Sequence, residues 1–111
     1  MIPPEMQLSK QICQLLDYHH FYYFHVPSEG KRTPWEQRAF KMNGGKPGVP
    51  DLVIVLQQGR VLWVELKTPT GRQSPHQKLF QEVVERRGHK YEIWRSVADA
   101  QTFCLEYGGM R

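Results

Sequence analysis

The sequence is poor in cysteine and has no long apolar run. It contains two cysteines, Cys13 and Cys104, far apart in the chain. Zinc sites and redox motifs use closely spaced cysteines, so we expect neither, and we interpret both residues as buried thiols in a reducing compartment. No stretch approaches the ~20 apolar residues of a membrane-spanning helix, and the first residues lack the regions of a secretory signal. We therefore expect an intracellular protein with no membrane partner.

The charge of the chain is mildly basic. Fifteen Lys and Arg against eleven Asp and Glu give a formal net charge of +4 over 111 residues. That length predicts one domain, residues 1–111, with a modest core. The sign of the charge favours an anionic partner such as a nucleic acid.

Two carboxylates and a lysine stand at the ends of two apolar, β-branched runs. Asp51 follows Pro50 at the start of the first run, and Glu65 and Lys67 close the second. Carboxylate oxygens bind hard divalent cations, which polarise phosphates and acidify a bound water. Lys67 comes two residues after Glu65 on an expected strand, so both side chains share a face and the lysine can orient the attacking water. The pattern predicts a site for phosphodiester hydrolysis.

This pair of motifs, PD at 50–51 and ELK at 65–67, resembles the signature of the PD-(D/E)XK nucleases. The order and rough spacing of the segments 48–52 and 74–78 around it are similar to those of the VRR-NUC (virus-type replication-repair nuclease) group, in its stand-alone phage or bacterial form. The resemblance covers most of the chain, about residues 5–97.

The resemblance implies both a fold and a chemistry. The fold is α/β, a restriction-endonuclease-like αβββαβ core with a central mixed sheet flanked by helices, followed by a C-terminal helix. The cofactor is Mg²⁺, for which Mn²⁺ substitutes, with the Leu66 carbonyl as a further ligand and no organic cofactor. Stand-alone members look like relatives of Holliday junction resolvases, so we expect a homodimer that cuts branched DNA in a bacterium or phage-infected host. Flap cutting, restriction-type cleavage and a non-catalytic DNA-binding module of the same fold stay open.

Hydrophobic periodicity and turn residues predict the order of helices and strands. Between residues 27 and 50 the chain is polar, glycine-rich and basic, which predicts a long loop with one helical turn around 35–40. The elements expected elsewhere are a helix over 4–18, a strand over 21–26, a hairpin of strands 51–56 and 61–67 buried on both faces, a helix over 75–88 with Phe80, Val83 and Val84 inward, a strand over 91–95 and a final helix capped at 96–99.

The connection at residues 57–59 makes the register of the hairpin testable. With three loop residues and a left-handed glycine, Leu56 pairs with Arg60 and Asp51 lies opposite Glu65. A two-residue loop would place the two carboxylates on opposite faces of the sheet. A shared metal site requires the first register.

Each candidate residue also has a purely structural interpretation. Asp51 can cap the turn after a proline, and Lys67 can be the solvated end of a strand or a charge partner for Glu65. Glu65 is harder to explain in that way, because a carboxylate within an apolar run is costly to bury without a cation or a donor. Glu5 either complements the positive end of the first helix or is a metal ligand. Gln77 either completes a capping box or acts at the active site, where the family places a glutamine.

Basic residues on both sides of the PD motif provide a candidate path for phosphates, and an ordinary solvated surface is the alternative. We expect DNA contacts from this set. Its members are Lys31, Arg32, Arg38, Lys41 and Lys46 before the motif, and Arg72 and Lys78 after the ELK motif.

Overall fold

The sheet at the centre of the domain is mixed. A computed structural model describes residues 2–27 and 32–111 of the chain. Four strands lie in the order β1-β2-β3-β4, with the first three antiparallel and β3 parallel to β4. The expected α/β class and mixed sheet are thus confirmed. The elements are α1 (Pro4–Tyr18), β1 (Tyr22–His25), α2 (Pro34–Met42), β2 (Leu52–Val55), β3 (Val61–Leu66), α3 (Pro75–Arg86), β4 (Lys90–Trp94), α4 (Val97–Tyr107) and a short 3-10 helix (Gly108–Met110).

The β2–β3 hairpin has the register that a three-residue loop predicts. Leu52 pairs with Val64, and extending that pairing by one residue places Asp51 opposite Glu65. At the other end of the hairpin, the Leu56 N–H donates to the carbonyl of Arg60 at 2.9 Å. The expected left-handed glycine, Gly59, has φ +70°. The two carboxylates therefore lie on the same face of the sheet.

The core lies on the other face of the sheet, between the strands and the helices α1 and α4. Leu52, Ile54, Leu62, Val64 and Trp94 of the sheet pack there against buried residues of the two helices. The helix residues are Ile12 and Leu16 from α1, and Ala100, Phe103 and Cys104 from α4. Among the described residues, no helix is long and apolar enough to cross a membrane.

Helix α3 covers only part of the face that carries the carboxylates. Phe80 packs edge-to-face on Trp63 with ring centroids 5.1 Å apart, and Val84 is buried beside them. Val83 is 39% exposed, so its predicted inward position is wrong. Phe80 and Val84 are four residues apart and share one stripe, whereas Val83 lies to one side of it, about 60° from Phe80 and about 100° from Val84 around the helix. The hairpin is likewise not buried on both faces throughout, since Val55 is 40% exposed where α3 does not reach.

The prediction for residues 27–50 missed a regular element. A nine-residue helix, α2, replaces the single helical turn that we expected. Thr33 and Glu36 form a capping box, with the Glu36 N–H donating to Thr33 Oγ1 at 3.2 Å and the Thr33 N–H donating to Glu36 Oε1 at 2.9 Å. No residue of α2 is buried, although Trp35, Ala39 and Met42 recur at helical spacing. The polar, glycine-rich composition of the surrounding segment therefore hid a helical pattern that the sequence does contain.

Cys13 and Cys104 are free thiols. Cys104 is buried as predicted, whereas Cys13 is only half-buried. The reason is that Cys13 borders an open cavity that Asp51 also lines.

Candidate active site

Asp51 lies immediately before β2 and is tied to both neighbouring strands. Its Oδ2 accepts a hydrogen bond from the Leu66 backbone N–H at 2.8 Å. Its own carbonyl accepts from the Val26 N–H at 2.8 Å. The carboxylate thus bonds across the sheet to the end of β3 instead of capping the turn that follows Pro50.

Glu65 is a buried carboxylate, with 3% of its surface exposed. Burial, followed by the negative charge of Asp51, raises the pKa of Glu65 to about 7, although the Lys67 ammonium opposes the shift. Desolvation penalises the ionised form because water no longer solvates it. A divalent cation beside the carboxylate would favour the ionised form and lower this pKa.

Three side chains direct hydrogen-bond donors at Glu65. Gln77 Nε2 donates to Oε2 at 2.8 Å, and the Tyr91 hydroxyl donates to Oε1 at 3.4 Å. Lys67 Nζ lies 3.5 Å from Oε2, and the lysine side chain is only 14% exposed. Lys67 is therefore not a solvated strand end, because its charge lies in the same enclosed site as the carboxylate. These donors fix the orientation of Glu65.

Gln77 completes the capping box of α3 and also contacts the buried carboxylate. Its Oε1 accepts from the Ser74 backbone N–H at 2.7 Å, and its own N–H donates to Ser74 Oγ at 3.2 Å, which completes the capping box of α3. Its Nε2 is then directed at Glu65. The amide joins the start of the helix to the carboxylate because it has a separate acceptor and donor.

Tyr91 and Gln73 are members of the site that the sequence pattern did not predict. Gln73 Nε2 donates to the Tyr91 hydroxyl at 3.3 Å and to Gln81 Oε1 at 3.0 Å. Burial and the charge of Glu65 raise the pKa of Tyr91, so its hydroxyl stays protonated and acts as a donor. The sequence contains no signal for Tyr91, because it reaches Glu65 only through the parallel pairing of β4 with β3, in which Tyr91 pairs with Trp63, two positions before Glu65 on the same face.

Gly48 brings the PD motif against the first turn of α3. It has φ +81°, and a Cβ added to it would lie 2.5 Å from both the backbone C and O of His76 and 2.7 Å from the backbone N of Gln77. Only glycine allows this approach together with a positive φ. The contact holds the segment before Asp51 next to the residue that orients Glu65.

Glu5 lies in the first turn of α1 and is exposed. It lines a cavity of about 550 Å³ together with Asp51 and Leu66. This arrangement is compatible with the ligand interpretation and with the helix-end interpretation, so the role of Glu5 stays a prediction. Across residues 2–27 and 32–111, no group of three or more His, Cys, Asp or Glu side chains is already gathered closely enough to hold a metal.

The donor set nevertheless fits a hard divalent cation. Asp51 and Glu65 contribute carboxylate oxygens on one face, and Leu66 adds a carbonyl at the same strand end. Mg²⁺ binds proteins through one or two carboxylates, with water or substrate phosphate completing its coordination. A complete protein cage is therefore not needed at this site.

The predicted DNA-binding residues form two groups and several separate positions. Arg32 and Lys46 line one groove of about 350 Å³ that also includes Gly48. Arg38 and Lys41 lie together on α2. The Arg32 guanidinium stacks over the ring of Phe40 at 4.0 Å, and that of Arg38 lies 5.9 Å from the centroid of Trp35. Arg72 is exposed between β3 and α3, Lys78 is exposed on α3, and Lys31 lies outside the described residues.

The four-stranded mixed sheet between helices, with the PD and ELK motifs at adjoining strand ends, defines a nuclease-type α/β domain. The VRR-NUC domain profile matches residues 4–98. One solved structure, a VRR_NUC domain protein, is 21% identical with a TM-score of 0.77, over 96% of this chain and 89% of that chain. Another solved structure, a VRR_NUC domain, is 20% identical with a TM-score of 0.64, over 93% of this chain and 95% of that chain. The comparison with curated proteins gives no match.

The profile match extends over most of the chain, so the chain belongs to the VRR-NUC domain family, as its motifs predict. The likeness to the two solved structures shows that they share its fold. The family is one of nuclease-type, DNA-processing domains.

Proposed function

We propose that this chain is a metal-dependent DNA endonuclease that hydrolyses phosphodiester bonds in branched DNA, as a Holliday junction resolvase acting as a homodimer. The observation that carries the proposal is the buried Glu65, held by donors on one face with Asp51 and Lys67. A carboxylate in this setting with a raised pKa is typical of a functional site.

The proposed cofactor is Mg²⁺, with Mn²⁺ as a substitute. Asp51, Glu65 and the Leu66 carbonyl would bind it, and Glu5 is a fourth candidate across the shared cavity. When bound, such an ion polarises the phosphate and lowers the pKa of a water molecule.

The protein groups have separate tasks in this mechanism. Gln77 and Tyr91 hold the two oxygens of Glu65, and the Leu66 N–H holds Asp51, so the carboxylates need little rearrangement. Lys67 orients the attacking water and offsets the negative charge that develops on the phosphate. This water attacks the phosphorus in line with the scissile bond to the 3′ oxygen. That bond breaks, the 3′ oxygen leaves, and the other strand end carries a 5′ phosphate.

The basic residues on α2 and around Gly48 would guide the DNA backbone to this site. Arg32 and Lys46 share a groove beside Gly48, which itself contacts the start of α3. Charges of this sign contact phosphates and do not select a sequence. The branched substrate is therefore proposed on the basis of family resemblance and not from base-reading groups.

The homodimer follows from the substrate, because one small domain with one site needs a symmetric partner to cut two strands of a junction. The uncovered part of the sheet offers apolar surface for such a contact. Tyr22, Phe24 and Val55 are 74%, 49% and 40% exposed there, on the face that α3 leaves open.

The test uses labelled four-way junction, flap and plain duplex DNA, each with Mg²⁺ or with chelator. Lys67→Ala is the inactive variant, and Lys10→Ala, an exposed lysine on α1, is its matched control. The proposal predicts that the wild type and Lys10→Ala make paired, symmetric, Mg²⁺-dependent nicks in the junction. Lys67→Ala should make none. Cutting of flap or plain duplex DNA would support the nuclease activity but contradict the assignment of four-way junctions as its substrate. Binding without cutting would identify a non-catalytic DNA-binding module.

A further inference from the structure

A second concave site lies at the opposite end of the sheet from the candidate active site. It is a groove of about 470 Å³ between the β2–β3 turn and the loop that joins α3 to β4. Glu65 and Lys67 mark the carboxyl end of β3, whereas Arg60 and Val61 at its amino end line the groove. At about 3.3 Å per residue, the five steps from Arg60 to Glu65 separate the two sites by roughly 17 Å. One phosphate group is too small to contact both.

The rim of this groove is basic. Arg60 comes from the hairpin turn, Arg87 from the end of α3 and Lys90 from the start of β4, and all three are exposed. The lining contains no acidic residue, and within the described part of the chain none of the three forms an ion pair. Like charges around a concave surface repel one another, and a bound anion removes that repulsion.

The groove also offers a neutral donor and an apolar floor. Trp63 Nε1–H donates to His89 Nδ1 at 2.9 Å, so the neutral imidazole carries its proton on Nε2 and has a donor to offer. Leu56 and Leu62 are buried side chains that line the groove and form its apolar floor, and Tyr107 also lines it. A cationic rim over an apolar floor matches a ligand with an anionic head and a planar, weakly polar body.

We propose that this groove binds a nucleoside phosphate group, with the phosphate between Arg60, Arg87 and Lys90 and the nucleoside on the apolar floor. The volume of about 470 Å³ lies within the range of small-molecule sites, about 300–1,000 Å³. Two sources have this chemistry, a free nucleotide and the 5′-phosphorylated end of a DNA strand.

Calorimetric titration of the full chain tests this assignment, in chelator so that no divalent ion occupies the candidate active site. The ligands are thymidine 5′-monophosphate, thymidine, inorganic phosphate, and one short oligonucleotide with either a 5′-phosphate or a 5′-hydroxyl. We expect saturable binding of the nucleotide, and binding at least about tenfold weaker for thymidine and for inorganic phosphate. If the monophosphate binds more tightly than the phosphorylated oligonucleotide, the ligand of the groove is a free nucleotide. If the oligonucleotide binds more tightly, the ligand is the 5′-phosphorylated end of a DNA strand.

Arg87→Ala is the test variant and Arg86→Ala is its matched control. Arg86 precedes Arg87, is exposed, and pairs with Glu82 outside the groove. The proposal predicts about tenfold weaker binding for Arg87→Ala and unchanged binding for Arg86→Ala. Absence of saturable binding, equal affinities for thymidine and its monophosphate, or equal losses in the two variants would each overturn it. The titration involves no cleavage, so its failure would leave the proposed nuclease unaffected.

Discussion

Gln77 Nε2 donates to Glu65 Oε2 at 2.8 Å. The Oε1 of the same amide accepts from the Ser74 backbone N–H at 2.7 Å, so one side chain is hydrogen-bonded both to the start of α3 and to the buried carboxylate. A residue that stabilises a helix end therefore also orients a candidate metal ligand. Substitutions can separate these two tasks, because the helix cap has a second member that does not contact Glu65.

Gln77→Ala should lose both the helix cap and the hydrogen bond that orients Glu65, whereas Ser74→Ala should lose only the helix cap. We expect each variant to lose about 1 kcal/mol of unfolding free energy through the damaged cap. Cleavage should fall by about tenfold or more in Gln77→Ala, since Glu65 loses its nearest donor, and stay near wild type in Ser74→Ala. Urea unfolding and initial cleavage rates measure the two effects. Equal activity in both variants would show that the bond to Glu65 has no role in cleavage.

The raised pKa of Glu65 predicts how stability depends on pH in the absence of divalent ions. Its pKa rises from an ordinary value of 4.5 to about 7 in the folded protein. Below the lower value the carboxyl is neutral in both the folded and the unfolded state, and as pH rises through the higher value the folded state must ionise a buried group. Glu65 therefore makes the protein less stable at about pH 8 than at about pH 5, by roughly 1–3 kcal/mol.

Denaturant unfolding in chelator at these two pH values, for the wild type and Glu65→Gln, isolates this contribution from those of other groups. The variant should lose less stability on going to high pH than the wild type. Addition of Mn²⁺ at high pH should restore stability to the wild type only. An identical pH dependence in the two proteins would contradict the assigned burial cost.

The Asp51→Asn variant should fold like the wild type but lose DNA cleavage. An asparagine side-chain oxygen can still accept the hydrogen bond that Leu66 N–H makes at 2.8 Å. Removing the negative charge also lowers the pKa of Glu65, so we expect unfolding free energy at neutral pH to be equal or slightly higher. Cleavage should fall by at least about 100-fold while DNA affinity in chelator is maintained. Parallel loss of stability and DNA binding would assign Asp51 a structural role instead.

Gly48→Ala should disturb the site through the backbone. The new Cβ would meet the carbonyl of His76 at 2.5 Å, in a residue with φ +81°. We expect a loss of about 2–4 kcal/mol of stability and a clear loss of cleavage, because the segment before Asp51 must move away from α3. Gly44→Ala is the control, since Gly44 also has positive φ but open space around it, and should cost only about 1 kcal/mol.

Much of this site was predictable because its parts depend on local rules. The three-residue loop at 57–59 determines the hairpin register, and that register brings Asp51 opposite Glu65. The helix α1 has the predicted bounds because its apolar residues recur at helical spacing. The capping box of Gln77 was likewise visible as a serine three residues before it.

The remaining features depend on contacts between distant segments. Gly48 requires glycine because of the backbone at His76, which sequence spacing does not reveal. Tyr91 reaches Glu65 only through the parallel pairing of β4 with β3. Helix α2 buries no side chain, and its sequence signals are local, namely the capping box at Thr33 and the helical spacing of Trp35, Ala39 and Met42. How far α3 extends over the sheet determines the exposure of Val83, and periodicity alone does not give it.

The most direct test of the central claim compares Mn²⁺-dependent cleavage of labelled four-way junction DNA by the wild type and by Glu65→Gln. The glutamine occupies nearly the same volume but lacks the negative charge that a hard cation requires. The account predicts cutting by the wild type that chelator abolishes, and no cutting by the variant even at saturating Mn²⁺. Cleavage by Glu65→Gln at the wild-type rate, or cleavage by the wild type in chelator, would contradict it.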